Sequence, residues 1–182
     1  MFFYNPQYLL FMAPAILAML AAQFYVNATY RKWGQVPTRS GATGLDAVRR
    51  MISSTGLLDM RVQQVSGQLT DHYDPRKKEL RLSAGVYQGS SIASVAIAAH
   101  ELGHAQQDQE GYFPLQLRSM LVPAVNIGST LGWILILVGL LLNMINIAWL
   151  GVIAFSGGAV FALATLPVEL NASARAKQLL KQ

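Results

Sequence analysis

The sequence contains no cysteine, only three histidines and few charges. Without cysteine there are no disulfides and no thiolate metal site, and the redox compartment is not readable. Charged residues are 13% of the chain, against about 25% in an ordinary soluble protein. Apolar residues are 53%. The net charge of +5 would suit nucleic acid or an anionic membrane surface. The placement of the charges favours the membrane and argues for no nucleic-acid role. No charged side chain lies between Arg118 and Glu169.

That uncharged run divides into two stretches, 121–142 and 144–166, with Asn143 and Asn146 marking a tight turn between them. Each is longer than the ~20 residues that cross a hydrocarbon core. A third apolar run, 8–26, lies near the start. No Lys or Arg precedes it, which argues against a cleaved signal peptide and for a retained transmembrane helix kinked at Pro14. Arg31 and Lys32 follow the first run, Arg118 precedes the second, and Arg175, Lys177 and Lys181 follow the third. The bias of Lys and Arg then puts the N-terminus outside, and segment 27–120 and tail 167–182 in the cytoplasm. The chain is expected to be one membrane-embedded domain, 1–182. Small residues such as Gly157, Gly158 and Ala159 would permit close helix packing.

Segment 27–120 is small for a free-standing domain and should lean on the membrane helices. Within it, Thr43 is a candidate N-cap for an amphipathic helix with Leu45, Val48, Met51 and Ile52 on one face and Gly56 at its end. Stretches 61–65, 68–73 and 79–82 have strand character and predict a small antiparallel sheet. Ser90 or Ser91 caps a further helix running to about Gly111.

That last helix carries His100-Glu101-Leu102-Gly103-His104. Residues four apart share a helix face, so both imidazoles can meet one metal ion. Glu101 is turned about 100° from His100, where it can reach a water held at the metal. Two nitrogen ligands, an open position and a carboxylate base are what zinc-assisted hydrolysis needs. Shuffling this composition would give the pattern roughly seven times in ten thousand, which disfavours coincidence. The bland alternative is a buried histidine pair satisfied by hydrogen bonds. Four residues can supply a third ligand: Glu110, Asp108, His72 and Glu169. Glu169 is favoured, because a lone glutamate ending an uncharged run calls for a partner, and cytoplasmic interfacial anchors are usually Lys or Arg.

HELGHAQQ, LTDHYDPRKKELRLS, RSMLVPAVNIGS and LPVELNASARA together resemble the YugP-like bacterial membrane zinc metallopeptidases. The resemblance spans nearly the whole chain. It implies a mainly α, integral membrane metallopeptidase fold with three transmembrane helices, His100 and His104 as ligands of one zinc ion per chain, and Glu101 as catalytic residue. VELNASARA is also similar to the Glu-x-x-Ala-Asp signature of the HtpX-like and CAAX-processing membrane proteases, in which the glutamate is the third ligand. Glu169 and Ala172 match it, and Ser173 replaces the aspartate that would orient a histidine. Asn171 or Asp108 are candidates for that orienting role. Relatives continue into a further apolar helix, so the chain is expected to be a shortened form.

The expected activity is hydrolysis of peptide bonds in membrane or unfolded proteins at the cytoplasmic face of the bilayer. His72, Tyr73, Tyr112 and Arg175 are candidate oxyanion or substrate contacts. An edge strand around 68–73 would align an extended polypeptide. The competing reading is a non-catalytic membrane protein that binds metal or clients without cutting them.

Overall fold

The computed structural model describes residues 6–181. The uncharged flank 1–5 used in the topology argument, and Gln182, lie outside the described residues. The chain runs α1 (Pro6–Gly34), α2 (Gly44–Thr55), β1 (Arg61–Val65), β2 (His72–Asp74), β3 (Glu79–Ser83), α3 (Ala84–Tyr87), α4 (Ile92–Gln109), α5 (Phe113–Leu141), α6 (Ile145–Ala164) and α7 (Leu166–Leu179).

Three helices are long and apolar enough to span a bilayer: α1 from Met12, α5, and the run of α6 into α7. α5 and α6 form a hairpin, turned at Asn143, whose φ of 55° is a left-handed conformation that asparagine tolerates. Asn146 lies inside α6 rather than in the turn. The seam between α5 and α6 is built from Gly132, Gly139, Ala148 and Gly151, which are buried. Of the small residues near the middle of α6, Gly158 faces Ser129, whose Oγ is 3.3 Å from a Cβ placed there, while nothing lies within 4 Å of one at Gly157.

The water-facing elements pack around α4. Val48, Leu80, Leu82, Val86, Ala98, Ala99 and Leu102 form its core, joined by Ala176 and Leu179 of α7. Thr43 caps α2 in a full capping box with Asp46, and Gly56 ends it with φ 73°. Ser91, rather than Ser90, caps α4. The loop after α1 is tied to that cap: Thr38 N donates to Ser90 O and Ile92 N to Val36 O, both at 2.8 Å.

The sheet is mixed, which corrects the antiparallel expectation. Its order is β1-β3-β2, with β1 parallel and β2 antiparallel to β3. Alternation along a strand gives the period of its side chains but not its direction, so the pattern around Leu80 and Leu82 is blind to this. A parallel pair needs a connection of about a dozen residues or more, and segment 66–78 supplies it with β2 inside. β2 is shorter than the expected 68–73 and forms one edge of the sheet.

Candidate metal centre and its cleft

α6 ends at Ala164 with Thr165 as its C-cap, and Pro167 sits in the first turn of α7, where its missing N–H costs nothing. Glu169 follows one turn above the end of the apolar span. α7 then lies against α4 at very short range. A Cβ added to Gly103 would stand 2.6 Å from Ala172 O, so only glycine lets the two backbones approach this closely.

This contact brings Glu169 onto the histidine pair. Its Oε2 is 3.3 Å from His100 Nε2 and 3.4 Å from His104 Nε2. The three residues offer one donor atom each, all within 4.8 Å of one another, and so could hold a metal ion. Zinc binds nitrogen and carboxylate oxygen at about 2.0–2.1 Å, which makes the edge of a ligand tetrahedron about 3.3 Å. The two Nε2–Oε2 distances fit that edge. The imidazole rings are nearly perpendicular, at 84°, with centroids 4.9 Å apart.

The other face of each ring is tied back. Gln107 Nε2 donates to Val168 O and Asn171 Oδ1, both at 2.9 Å, which turns its Oε1 towards His104 Nδ1 at 3.0 Å. That oxygen needs a proton on Nδ1 and therefore leaves the Nε2 lone pair of a neutral ring for a cation. Ser173 Oγ lies 3.2 Å from His100 Nδ1, at the position where the related signature carries aspartate. Arg118 donates through a terminal guanidinium nitrogen to Glu169 Oε1 at 2.6 Å, holding the carboxylate so that Oε2 faces the rings.

Glu101 projects beside this group into a cleft of about 720 Å³. The cleft is walled by the β2 edge and the turn after it, by α4, and by α5 as far as Asn126. Burial pushes the Glu101 carboxyl above the ordinary glutamate range, against the pull of His104 and His100. Burial would lower the His104 pKa, but its bonds to Glu169 and Gln107 and the charges of Glu101 and Glu169 raise it. The field at the rings thus favours a cation.

The remaining candidates separate clearly. His72 and Tyr73 line the cleft. His72 Nδ1 lies 2.8 Å from Thr70 O, and Tyr73 donates to Asp108 Oδ2 at 2.7 Å. Asp108 is therefore engaged with the sheet and not with the histidines. Burial and the Asp108 bond push the Tyr73 phenol well above its ordinary pKa, so it stays protonated. Arg175 forks onto Glu110 at 2.6 and 2.7 Å and donates to Asn171 at 2.7 Å, which removes both Arg175 and Glu110 from the cleft. Tyr112 caps α5 and does not line the cleft. Gln107 and Arg118 are the residues sequence reasoning passed over.

Helices long and apolar enough to span a bilayer, with a His/His/Glu group able to hold a metal ion beside a partly buried glutamate, are the pattern of a membrane protein with a candidate metal site. Comparison with known proteins places it further: residues 8–182 match the family described as "putative neutral zinc metallopeptidase", and the chain belongs to that family. It is 47% identical over 159 residues to a Bacillus subtilis (strain 168) protein called "putative membrane protease YugP", covering 87% of this chain and 71% of that one. No solved structure matches the chain significantly.

Proposed function

We propose that the protein is a zinc-dependent endopeptidase of the bacterial cell membrane, cutting polypeptides at the cytoplasmic face, with His100, His104 and Glu169 holding one zinc ion and Glu101 as general base. The observation that carries this reading is the convergence of two Nε2 atoms on Glu169 Oε2 while both Nδ1 atoms are engaged behind them. Such tying back fixes ring orientation and frees the nitrogen that binds metal. A structural metal site has no use for Glu101, and the open cleft in front of it leaves room for a peptide.

Bound zinc would supply a Lewis acid for the scissile carbonyl and would acidify the attacking water. Glu101 takes the proton from that water and delivers it to the leaving amine. A glutamate whose pKa burial raises is better matched to both transfers than an ordinary one. Arg118 keeps Glu169 on the rings through its second oxygen. Tyr73 and His72 are the cleft residues nearest in kind to an oxyanion or substrate contact. The outer edge of β2, whose one strand partner among the described residues is β3, offers backbone groups to an extended substrate. The Lys and Arg bias supports a cytoplasmic site, with the N-terminus outside.

The test is metal content and hydrolysis of an unfolded protein, measured on detergent-purified wild type, Glu169→Ala and Glu101→Gln. About one zinc per chain is expected in the wild type and in Glu101→Gln, with much less in Glu169→Ala. Hydrolysis should fall at least about a hundredfold in both variants. Glu101→Gln that keeps zinc and cuts at the wild-type rate overturns the assignment.

A further inference from the structure

The cleft does not stop at the metal group. It continues along α5, where Leu115, Ser119, Val122 and Asn126 share one helix face and Pro123 flanks it. Asn126 lies eight residues beyond Arg118, about 12 Å along the helix. It therefore stands inside the uncharged span, at a depth where water is scarce and a free amide is costly. Its side chain has no hydrogen-bond partner among the described residues. The bond that reaches it from a side chain, Thr130 Oγ1 to Asn126 O at 2.9 Å, uses its backbone. Pro123 removes one donor from the helical ladder. A residue at 123 would normally donate its N–H to the carbonyl of Ser119, and proline has none to give. Exposed backbone groups at membrane depth are tolerated where they line a cavity.

On the proteolytic reading above, we infer that the bilayer end of the cleft takes an unwound stretch of a transmembrane polypeptide, with Asn126 as the residue that pairs with its backbone. An asparagine side chain carries one carbonyl and one N–H₂ group, the complement of a peptide unit. The Ser119 carbonyl, which lacks its usual helical donor at Pro123, can accept a further N–H. The ~12 Å between the level of Arg118 and Asn126 equals roughly four residues of extended chain. A substrate cut beside Glu101 thus reaches Asn126 with the residues that continue into the membrane. A soluble substrate could occupy the β2 edge alone and would make no use of Asn126.

The lack of native cysteine makes a single introduced thiol unique, so the path can be tested without turnover. Val122→Cys and Ile153→Cys are each placed in the zinc-loaded Glu101→Gln protein in phosphatidylcholine vesicles. Ile153 is 66% exposed on α6 and is not part of the cleft. The probe is a peptide with a Leu/Ala transmembrane segment of about 20 residues, a polar tail, and one cysteine where the two meet. Disulfide capture at Val122→Cys should exceed that at Ile153→Cys about tenfold, and a cysteine-free copy of the probe should compete it away. Equal capture at both sites overturns the proposal, and so does a Val122→Cys thiol that reacts with a thiol-reactive lipid but not with the peptide. A second measurement uses Asn126→Leu with Glu101 intact. The ratio of kcat/KM for the membrane probe to that for its detached tail should fall about tenfold through KM, at unchanged zinc content. A proportional loss on both substrates would make Asn126 merely structural and overturn its role. Selective capture with no wild-type cleavage of either peptide would sink the protease reading but not the path. Cleavage of both peptides without selective capture would sink only the path.

Discussion

In the water-facing half, Val48, Leu80, Leu82 and Leu102 have no exposed surface, and Glu79 is the charged residue buried with them among the described residues. In the α5–α6 hairpin the order reverses. Gly132, Gly139, Ala148 and Gly151 are buried, and Trp133, Leu137, Leu141, Trp149 and Ile153 face outwards. The same side-chain types are sorted in opposite directions within one chain. Water drives large apolar groups inwards because each buried methylene is worth about 0.8 kcal/mol. Lipid gives no such drive, so helices there associate through close backbone packing, which only small residues permit.

α4 belongs to both regimes. Towards α2 and the sheet it presents Leu102, as a soluble helix would. Towards α7 it presents Gly103 against Ala172, the kind of contact found in the hairpin. α7 continues the third apolar helix, and the His100, His104 and Glu169 group forms where this small-residue seam leaves the apolar span. Glu169 meets His100 and His104 across that seam, so its tightness sets the geometry of the site.

The contrast is broken most severely by one substitution made in both halves. Leu102→Ala, at 0% exposure, should cost about 2–5 kcal/mol because it leaves a cavity in a closed core. Leu137→Ala, at 44% exposure on the hairpin, should change stability by no more than about 0.5 kcal/mol. Thermal unfolding of both variants in one detergent measures the difference. Equal losses would mean that Leu137 packs against something other than lipid or detergent.

The next effect concerns the seam at the site. Gly103→Leu drives a side chain into the Ala172 carbonyl and must push α7 away from α4. Glu169 moves with α7, and zinc affinity should fall about 10–100-fold, the range seen when the support of a metal ligand is lost. Competition with a chelator reads this directly. Unchanged affinity would show that Glu169 is held by Arg118 and not by the helix contact.

How much of this was legible in the sequence depends on how far apart the partners lie. The three spans, the Thr43 cap, the Gly56 stop and the histidine pair on one face are all local patterns. They are set within a turn or two of chain, or by composition. Glu169 stood out because the run before it is empty of charge and because the residues around it resemble a known signature. Gln107 and Arg118 carried no such mark. Gln107 reaches Asn171 across 64 residues and Arg118 reaches Glu169 across 51. Alone, Gln107 looks like a helix-end polar residue and Arg118 like a membrane-boundary charge. Strand direction was hidden for the same reason, since β1 finds β3 only after the chain has passed through β2. Ser173 was legible as a departure from a signature, but its reach to His100 needed the fold.

The smallest predicted effect sharpens the comparison within the membrane half. Gly151 and Gly132 face each other in the hairpin seam, where a Cβ on Gly151 would lie 2.6 Å from both Gly132 O and Ile136 N. Gly151→Ala therefore forces the helices apart by a few tenths of an ångström and should cost about 1–3 kcal/mol, as overpacking does in a filled interior. Gly157→Ala adds the same methyl on the same helix with nothing within 4 Å. It should be neutral or stabilise by a few tenths of a kcal/mol, because alanine is the better helix former. The two variants differ only in what the methyl meets. An equal loss in both would mean that Gly157 is packed against a second molecule. A loss in neither would mean that the α5–α6 seam yields more easily than the water-facing core, and that lipid-side packing tolerates size errors that the core does not.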